Sequence, residues 1–492
     1  MITPNIEQFE ELCSRGNLIP VYREHLADVE TPVSVAARFA RDPRMFLLES
    51  VEGGMRWARY SFIGLQPHTL FTVEGGQAFV ENADGERSPV ESVEHGLAAL
   101  RTVMARTVPV LLPELPRFIG GAVGFMNYET VREFERLPEP KQPPTGPTAC
   151  FMLTDTMIVF DNVRHTMKIV AGARPDRFPT PKAAYQDALR RIAAIEQRLM
   201  TPVDLRPRLT GASPELASNV SPEQFRGMVQ RARDYITEGD VIQVVLSQRF
   251  GGELPADPVT LYRALRLVNP SPYTFYVKDG EQILVGSSPE VMVRLTGDRA
   301  ELRPIAGTRP RGATEQDDRR LADELLSDEK ERAEHLMLVD LGRNDLGRVA
   351  APASVQVKDF MTVERYSHVM HMVSTVQATL AGGKDAFDLI RATFPAGTLS
   401  GAPKIRAMEI IHELEPQPRG AYGGAVGYIG YDGNMDLAIT IRTLEIASHH
   451  VAVQAGAGIV YDSDPEKEYQ ETCHKARGMM RALELAAKGL NL

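Results

Sequence analysis

Glu331 and Glu334 lie three residues apart in SDEKERAEHLMLVD, a spacing that puts both carboxylates on one face of a helix. Glu468 and Glu471 in PEKEYQETCHKA repeat the spacing. Acidic positions of this kind are ordinarily solvated surface, but Leu336, Met337 and Leu338 crowd the first pair with apolar neighbours. If both pairs faced one pocket, their repulsion would be roughly several kcal/mol at an effective dielectric of ~20 and ~4 Å separation. A divalent cation would relieve it. Magnesium takes one or two protein carboxylates and completes its octahedron with water and ligand oxygens. A second feature is Pro395-Ala396-Gly397-Thr398-Leu399-Ser400-Gly401-Ala402-Pro403-Lys404, which runs into a helix with Pro403 at its start. Backbone N–H groups, hydroxyls and a lysine there suit a carboxylate or phosphate, and a tight turn ahead of a helix is an equal alternative. The loop lacks the G-K-[ST] ending of a Walker A motif. Ala455-Gly456-Ala457-Gly458 runs on into Ile459-Val460-Tyr461 rather than a helix, which excludes a dinucleotide-binding turn. His368 and His371 in RYSHVMH could be an acid/base pair or plain structural residues. Arg442 in ITIRT is expected to project from a strand, where burial would require an anionic partner and exposure would not.

Strands and helices must bring these groups together. The first 170 residues read mainly as strands: Arg44 to Ser50, Tyr60 to Gly64, and a hairpin over Thr69 to Glu81 turning at Gly75-Gly76. Met152 to Phe160 and Thr166 to Val170 are expected to form a further pair around Asp161-Asn162. Apolar periodicity predicts a helix over Pro181 to Met200, followed by a Pro- and Gly-bearing stretch to Val220 that marks a boundary. Ser221-Pro222-Glu223-Gln224 is a helix start with N-cap, proline and Gln at N3. A strand follows over Val241 to Phe250, then helices over Glu315 to Leu346, Pro403 to Leu414 and Pro465 to Ala486. Gly120-Gly121-Ala122-Val123-Gly124-Phe125 recurs as Gly423-Gly424-Ala425-Val426-Gly427-Tyr428, which implies either related halves or two strands closely approached by other backbone. Helices and strands do not alternate regularly, so the class is α+β, with large sheets flanked by helices. The expected parts are 1–212, strand-rich and regulatory, and 213–492, catalytic.

Composition narrows the partners. The chain has 492 residues and a formal charge of −10, from 55 Lys+Arg against 65 Asp+Glu. That balance disfavours nucleic-acid wrapping and anionic membranes, and means that an anionic substrate would need local cations or a metal. The three cysteines, Cys13, Cys150 and Cys473, are far apart and not in CxxC spacing, which argues against a disulfide framework or zinc site and for a reducing cytoplasm. No apolar run reaches the ~20 residues of a membrane helix.

As a set these strings resemble the chorismate-utilising enzymes, and within them the family of anthranilate synthase large subunits, component I. The resemblance spans almost the whole chain: GDVIQVVLSQRF, GSSPE, RPIAGTRPRG, DEKERAEHLMLVDLGRND, RYSHVMH, PAGTLSGAPK, YGGAVGY, TIRT and QAGAGIVYDSDPEKEYQET. It implies two packed β-sheets with outer helices around a site for chorismate and Mg²⁺. The metal ligands would fall on Glu334 and Glu471, with Glu468 a further candidate. Glu290 and Glu331 would supply acid and base on opposite sides of the ring, His371 would assist pyruvate elimination, and Thr398 and Gln243 would complete the catalytic set. Gly307, Thr308, Tyr422, Arg442, Gly456, Gly458 and Lys475 would surround the substrate. Gln243 stands where isochorismate and salicylate synthases carry a lysine base, which favours ammonia over water as nucleophile. Ala306 stands where aminodeoxychorismate synthases commonly carry lysine.

No cysteine sits in a G-x-C-x-G setting, so the resemblance implies a separate glutamine amidotransferase subunit and a hetero-oligomer such as a heterotetramer, or free ammonia. It also implies an L-tryptophan feedback site on Glu49, Ser50, Pro272, Tyr273, Thr274, Val426 and Tyr428, with Thr274 replacing the family's frequent methionine. The alternatives are an aminodeoxychorismate synthase and a non-catalytic tryptophan-sensing scaffold.

Overall fold

Among the described residues of the computed structural model, two large antiparallel sheets, thirteen- and twelve-stranded, stack face to face with helices on both outer sides. The structure describes residues 1–50, 59–91, 96–144, 146–366 and 369–491. The α+β reading of two packed sheets with outer helices holds. Strands from both sides of the 212/213 boundary share each sheet: Arg44–Glu49 pairs with Tyr273–Asp279 in the first, and Gly121–Met126 with Ala425–Gly430 in the second.

Three apolar layers result. Phe46, Phe275 and Leu284 of the first sheet meet Val123, Phe125, Val426 and Ala438 of the second in a shared inner layer. The outer face of the first sheet is covered by helices including Pro181–Leu199, Pro258–Val268 and Pro465–Ala487. That of the second is covered by Gly96–Met104, Glu329–Gly347 and Ala386–Thr393. Strands buried on both faces read as continuous apolar runs, as Ala149–Thr154 and Thr156–Asp161 do.

The expected helices form. Ser221 caps Pro222–Glu238 with a capping box to Gln224, and Gly239 closes it with φ 89°. The helices expected over Glu315 to Leu346 are two, Glu315–Ser327 and Glu329–Gly347, and Asp328 ends the first and caps the second. The two glycine strings are adjacent strands with Gly124 directly opposite Gly427. A Cβ at Gly124 would stand 1.9 Å from the Cys150 carbonyl oxygen, so backbone approach is what both strings serve.

One expectation changes. The run Met152 to Phe160 is not a single strand: Ala149–Thr154 lies in the second sheet and Thr156–Asp161 in the first. Asp155 marks the crossing, buried and held by Arg191 at 2.9 Å and Arg174 at 3.3 Å. An uninterrupted apolar run carries no sign of where a chain changes layers.

Candidate functional site

The chain crosses between the sheets at two neighbouring places that both carry chemistry. Glu290 sits between Gln282–Ser288 of the first sheet and Val291–Thr296 of the second. Arg442 sits between Met435–Ile439 of the second and Thr443–Ala447 of the first. Arg442 therefore projects from a connector with φ 49°, not from a strand as its sequence context suggested. Backbone bonds from Ile439 to the Glu290 carbonyl (3.0 Å) and from Ser287 to the Arg442 carbonyl (3.1 Å) tie the two crossings to the sheets.

Around them opens a cavity of about 700 Å³ lined by every residue expected to act on or hold a substrate or metal. Gln243, Gly456 and Gly458 come from paired strands of the first sheet, Gly307, Thr308 and His371 from paired strands of the second. Glu331 and Glu334 occupy the first two turns of Glu329–Gly347, and Glu468 and Glu471 those of Pro465–Ala487. Asp328 and Asp464 cap these helices, so two positive helix ends aim at one acidic wall. Thr398 belongs to the short helix Gly397–Ser400, and Tyr422 to the turn before Ala425–Gly430. Helix Lys404–Leu414 follows Pro403 as expected. Two glycines are there for clearance. A Cβ at Gly458 would lie 2.3 Å from Gln243 Nε2, and one at Gly456 would lie 2.6 Å from the Tyr422 hydroxyl.

The electrostatics divide the carboxyls by role. Burial lifts Glu290 to about 8, against the opposing pull of the Thr398 hydroxyl and Arg442; Thr398 Oγ1 donates to Glu290 Oε1 at 3.1 Å. Glu290 is thus protonated at neutral pH. Burial raises Glu334, the nearby Glu331 and Glu471 raise it further, and Lys475 and Gln243 oppose. Burial and Glu471 likewise raise Glu468. Arg309 clamps Glu331 at 3.1 Å and Asp328 at 2.8 Å. Lys475 spans Glu471 (2.7 Å) and the Gly456 carbonyl (3.0 Å).

His371 is held below its ordinary range by burial, with the Gly307 carbonyl opposing and Arg442 assisting. Its Nδ1 lies 3.0 Å from that carbonyl, an acceptor, so Nδ1 carries the hydrogen and Nε2 keeps the lone pair. His368 lies outside the described residues.

Among the described residues no three His, Cys, Asp or Glu side chains stand close enough to hold a metal by themselves. Magnesium asks for less, one or two carboxylates with water and ligand oxygens, and Glu334 and Glu468, each raised by burial and by the charge of Glu471, fit that demand.

The seven residues expected at a tryptophan site do not share one face: some lie on the outer face of the first sheet and others in the inner layer between the two sheets. Glu49 and Thr274 are register partners on the outer face, where Glu49 is buried, accepts from the Tyr262 hydroxyl and pairs with Arg266 at 3.3 Å. Tyr273, Val426 and Tyr428 join Leu48 in the inner layer, where Tyr428 stacks on Phe118 at 4.2 Å and Tyr273 donates to Asp436 at 2.8 Å. Pro272 precedes the Tyr273 strand and Ser50 follows the Glu49 strand. The alternation of strand side chains makes this division, since neighbours in sequence face opposite ways.

Sequence reasoning missed Arg309, Gln454 and the buried pair Glu415–Arg419, although Arg309 lies in RPIAGTRPRG and Gln454 opens QAGAGIVYDSDPEKEYQET. Their signal is proximity in space, which spacing along the chain does not carry.

Residues 44–481 match the family model described as chorismate binding enzyme. Anthranilate synthase component 1 of Acinetobacter calcoaceticus is 48% identical over 502 residues, covering 99% of this chain and 100% of that protein. The protein of the same description from Thermus thermophilus is 47% identical over 476 residues, covering 96% and 99%. Among solved structures, anthranilate synthase component I from Streptococcus pneumoniae TIGR4 superimposes with TM-score 0.76 at 36% identity, covering 93% of this chain and 99% of that one. The menaquinone-specific isochorismate synthase MenF from Escherichia coli shares the fold, with TM-score 0.70 at 20% identity over 98% of this chain and 99% of its own.

Proposed function

The chain belongs to the chorismate-binding enzymes, and from that premise we propose that it converts chorismate and ammonia to anthranilate and pyruvate, the first committed step of tryptophan biosynthesis. The observation that carries the proposal is the gathering of Glu290, Glu331, His371, Thr398, Arg442 and Lys475 in one cavity. Whole-length similarity to anthranilate synthase components supports the same reaction.

Lys475, Arg442 and Thr308 are the groups for the substrate's two carboxylates, because they put cationic and hydroxyl donors on a wall that is otherwise acidic. Glu290, protonated at neutral pH, is suited to protonate the departing C4 hydroxyl. Ammonia adds at C2. Glu331, ion-paired with Arg309 at 3.1 Å, is suited to take the C2 proton. Cleavage of the C3–O bond then makes the ring aromatic and releases the enolpyruvyl group, which takes a proton from solvent at its methylene carbon to become pyruvate; His371, neutral with Nε2 available, is placed to assist that departure. Mg²⁺ held by Glu334 and Glu471, with Glu468 adjacent, would neutralise charge on the ring carboxylate. Gln243 in place of a lysine leaves no strong base to activate water, which favours ammonia. Ala306 lines the cavity and offers no amine, which favours this reaction over the aminodeoxychorismate alternative.

A partner glutaminase subunit is proposed as the ammonia source. Feedback by L-tryptophan is proposed at the edge of the inner layer, through Ser50, Pro272, Tyr273, Val426 and Tyr428. Its physical support is that the strand bearing Val426 and Tyr428 begins just after Tyr422, so packing changes there reach the substrate cavity.

Chorismate with Mg²⁺ and an ammonium salt, followed for fluorescent anthranilate and for pyruvate, tests the reaction. Both products should appear together. An aminated product without pyruvate would favour the aminodeoxychorismate alternative. Untouched chorismate with retained tryptophan binding would favour a sensor.

A further inference from the structure

Arg419 is the largest fully buried side chain in the described structure, with a relative exposure of 1%. Its guanidinium forks onto Glu415, Nε to Oε2 at 2.8 Å and Nη2 to Oε1 at 2.7 Å. The remaining bonds leave the pair: Nη1 donates to the Leu399 carbonyl at 2.6 Å and Nη2 to the Val245 carbonyl at 2.7 Å. Leu399 and Val245 both line the substrate cavity, and Leu399 follows Thr398, the donor to Glu290. The guanidinium also sits 5.6 Å from the ring centre of Tyr422, another lining residue. From Glu415 the network continues: Ser247 donates through its backbone N–H (2.8 Å) and hydroxyl (2.7 Å), and Gln454 Nε2 donates to that hydroxyl at 2.8 Å. Gln454 lines the cavity too. One ion pair thus touches, directly or through Ser247, four separate stretches of the cavity wall.

A fully buried ion pair is a costly way to stabilise a fold, since desolvation consumes most of its attraction and a well-packed apolar pair is often as stable. The contacts made here are with backbone that carries the site. We infer that Glu415 and Arg419 are positioning residues of the reaction, setting where the Thr398 loop stands against Glu290 and where Val245 and Gln454 present the cavity floor. Lysine cannot substitute, because a point ammonium lacks the planar fork that reaches two carbonyls and a carboxylate at once.

This inference rests on the proposed chorismate reaction, and its test keeps the two apart. Arg419→Lys and the charge-neutral double variant Glu415→Met/Arg419→Met are compared with Arg174→Met, which breaks a buried pair outside the cavity. Each is checked for folding by circular dichroism and thermal melting, then assayed with ammonium and varied chorismate well below its Tm. Expected is a kcat loss of at least ~10-fold in Arg419→Lys and in the double variant, with chorismate KM changed less than ~3-fold, and unchanged kcat in Arg174→Met. Should Arg419→Lys fail to fold, the double variant carries the test, because it leaves no unpaired charge. A folded double variant with wild-type kcat, a rise in KM alone, or an equal kcat loss in Arg174→Met would overturn the positioning role. Wild-type protein that releases no anthranilate would overturn the functional reading and this inference with it.

Discussion

Replacing Glu290 by Gln isolates the carboxyl that burial keeps protonated. In the folded protein Glu290 titrates at about 8, against an ordinary value of 4.5. Between those values the native state holds a proton that the unfolded chain has released. Stability therefore falls as pH rises through the window, by about 1.4 kcal/mol per pH unit for this group. The full difference, 8 − 4.5 = 3.5 units, sets a ceiling of about 5 kcal/mol above pH ~8. Glutamine keeps the shape and an acceptor for the Thr398 hydroxyl but does not titrate. Urea denaturation should then show wild-type stability declining relative to Glu290→Gln by about 2–3 kcal/mol between about pH 5.5 and about pH 7.5, with the variant gaining as pH rises. A difference that stays flat, or moves the other way, would refute a buried neutral Glu290. The same substitution tests the chemistry, since loss of a general acid costs about 100-fold or more in kcat. Wild-type kcat/KM should fall above about pH 8, where the acid form disappears, and the variant should lack that limb.

Three other substitutions probe separate parts of the structure. Gly458→Ala brings a Cβ within 2.3 Å of Gln243 Nε2, so Gln243 must move; chorismate KM should rise about 10-fold with Tm shifted by only a few degrees, and an unchanged KM would show that the contact is idle. Asp155→Asn leaves Arg174 and Arg191 without their buried carboxylate and should cost about 3–5 kcal/mol in denaturation while KM stays as in wild type. Pro272→Ala should raise the tryptophan concentration for half-inhibition about 10-fold at an unaltered uninhibited rate; equal inhibition of both proteins would remove Pro272 from the proposed regulatory site.

Most of the candidate site was legible because its residues sit in short strings that resemble those of a known family. Ser221 with Gln224 is a cap readable from residue type and spacing, whereas the caps of the two acidic helices, Asp328 and Asp464, emerge in the structure. The glycines of the 456–458 string were legible as glycines, but their reason was not. It is a side chain of another strand, Gln243, in one case and the Tyr422 hydroxyl in the other. The tryptophan expectation shows the limit most clearly. Glu49 and Tyr273 belong to paired strands, yet the pleat sends one outward to Tyr262 and the other inward to Asp436.

By itself the sequence determined most of the site-bearing helices, the paired carboxylates at helical spacing, and the family strings that pointed to one reaction. Tertiary structure decided what lies beside what. Whether Glu331 and Glu468 share a wall, where the chain leaves one sheet for the other at Asp155, Glu290 and Arg442, and that Arg419 braces Leu399 and Val245 are matters of packing. The physical reason is range. Caps, turns and periodicity act over a few residues, whereas burial and charge pairing depend on contacts between segments hundreds of residues apart. The protonation of Glu290 belongs to the second kind: nothing in GSSPE distinguishes it from an ordinary carboxylate until the two sheets close over it.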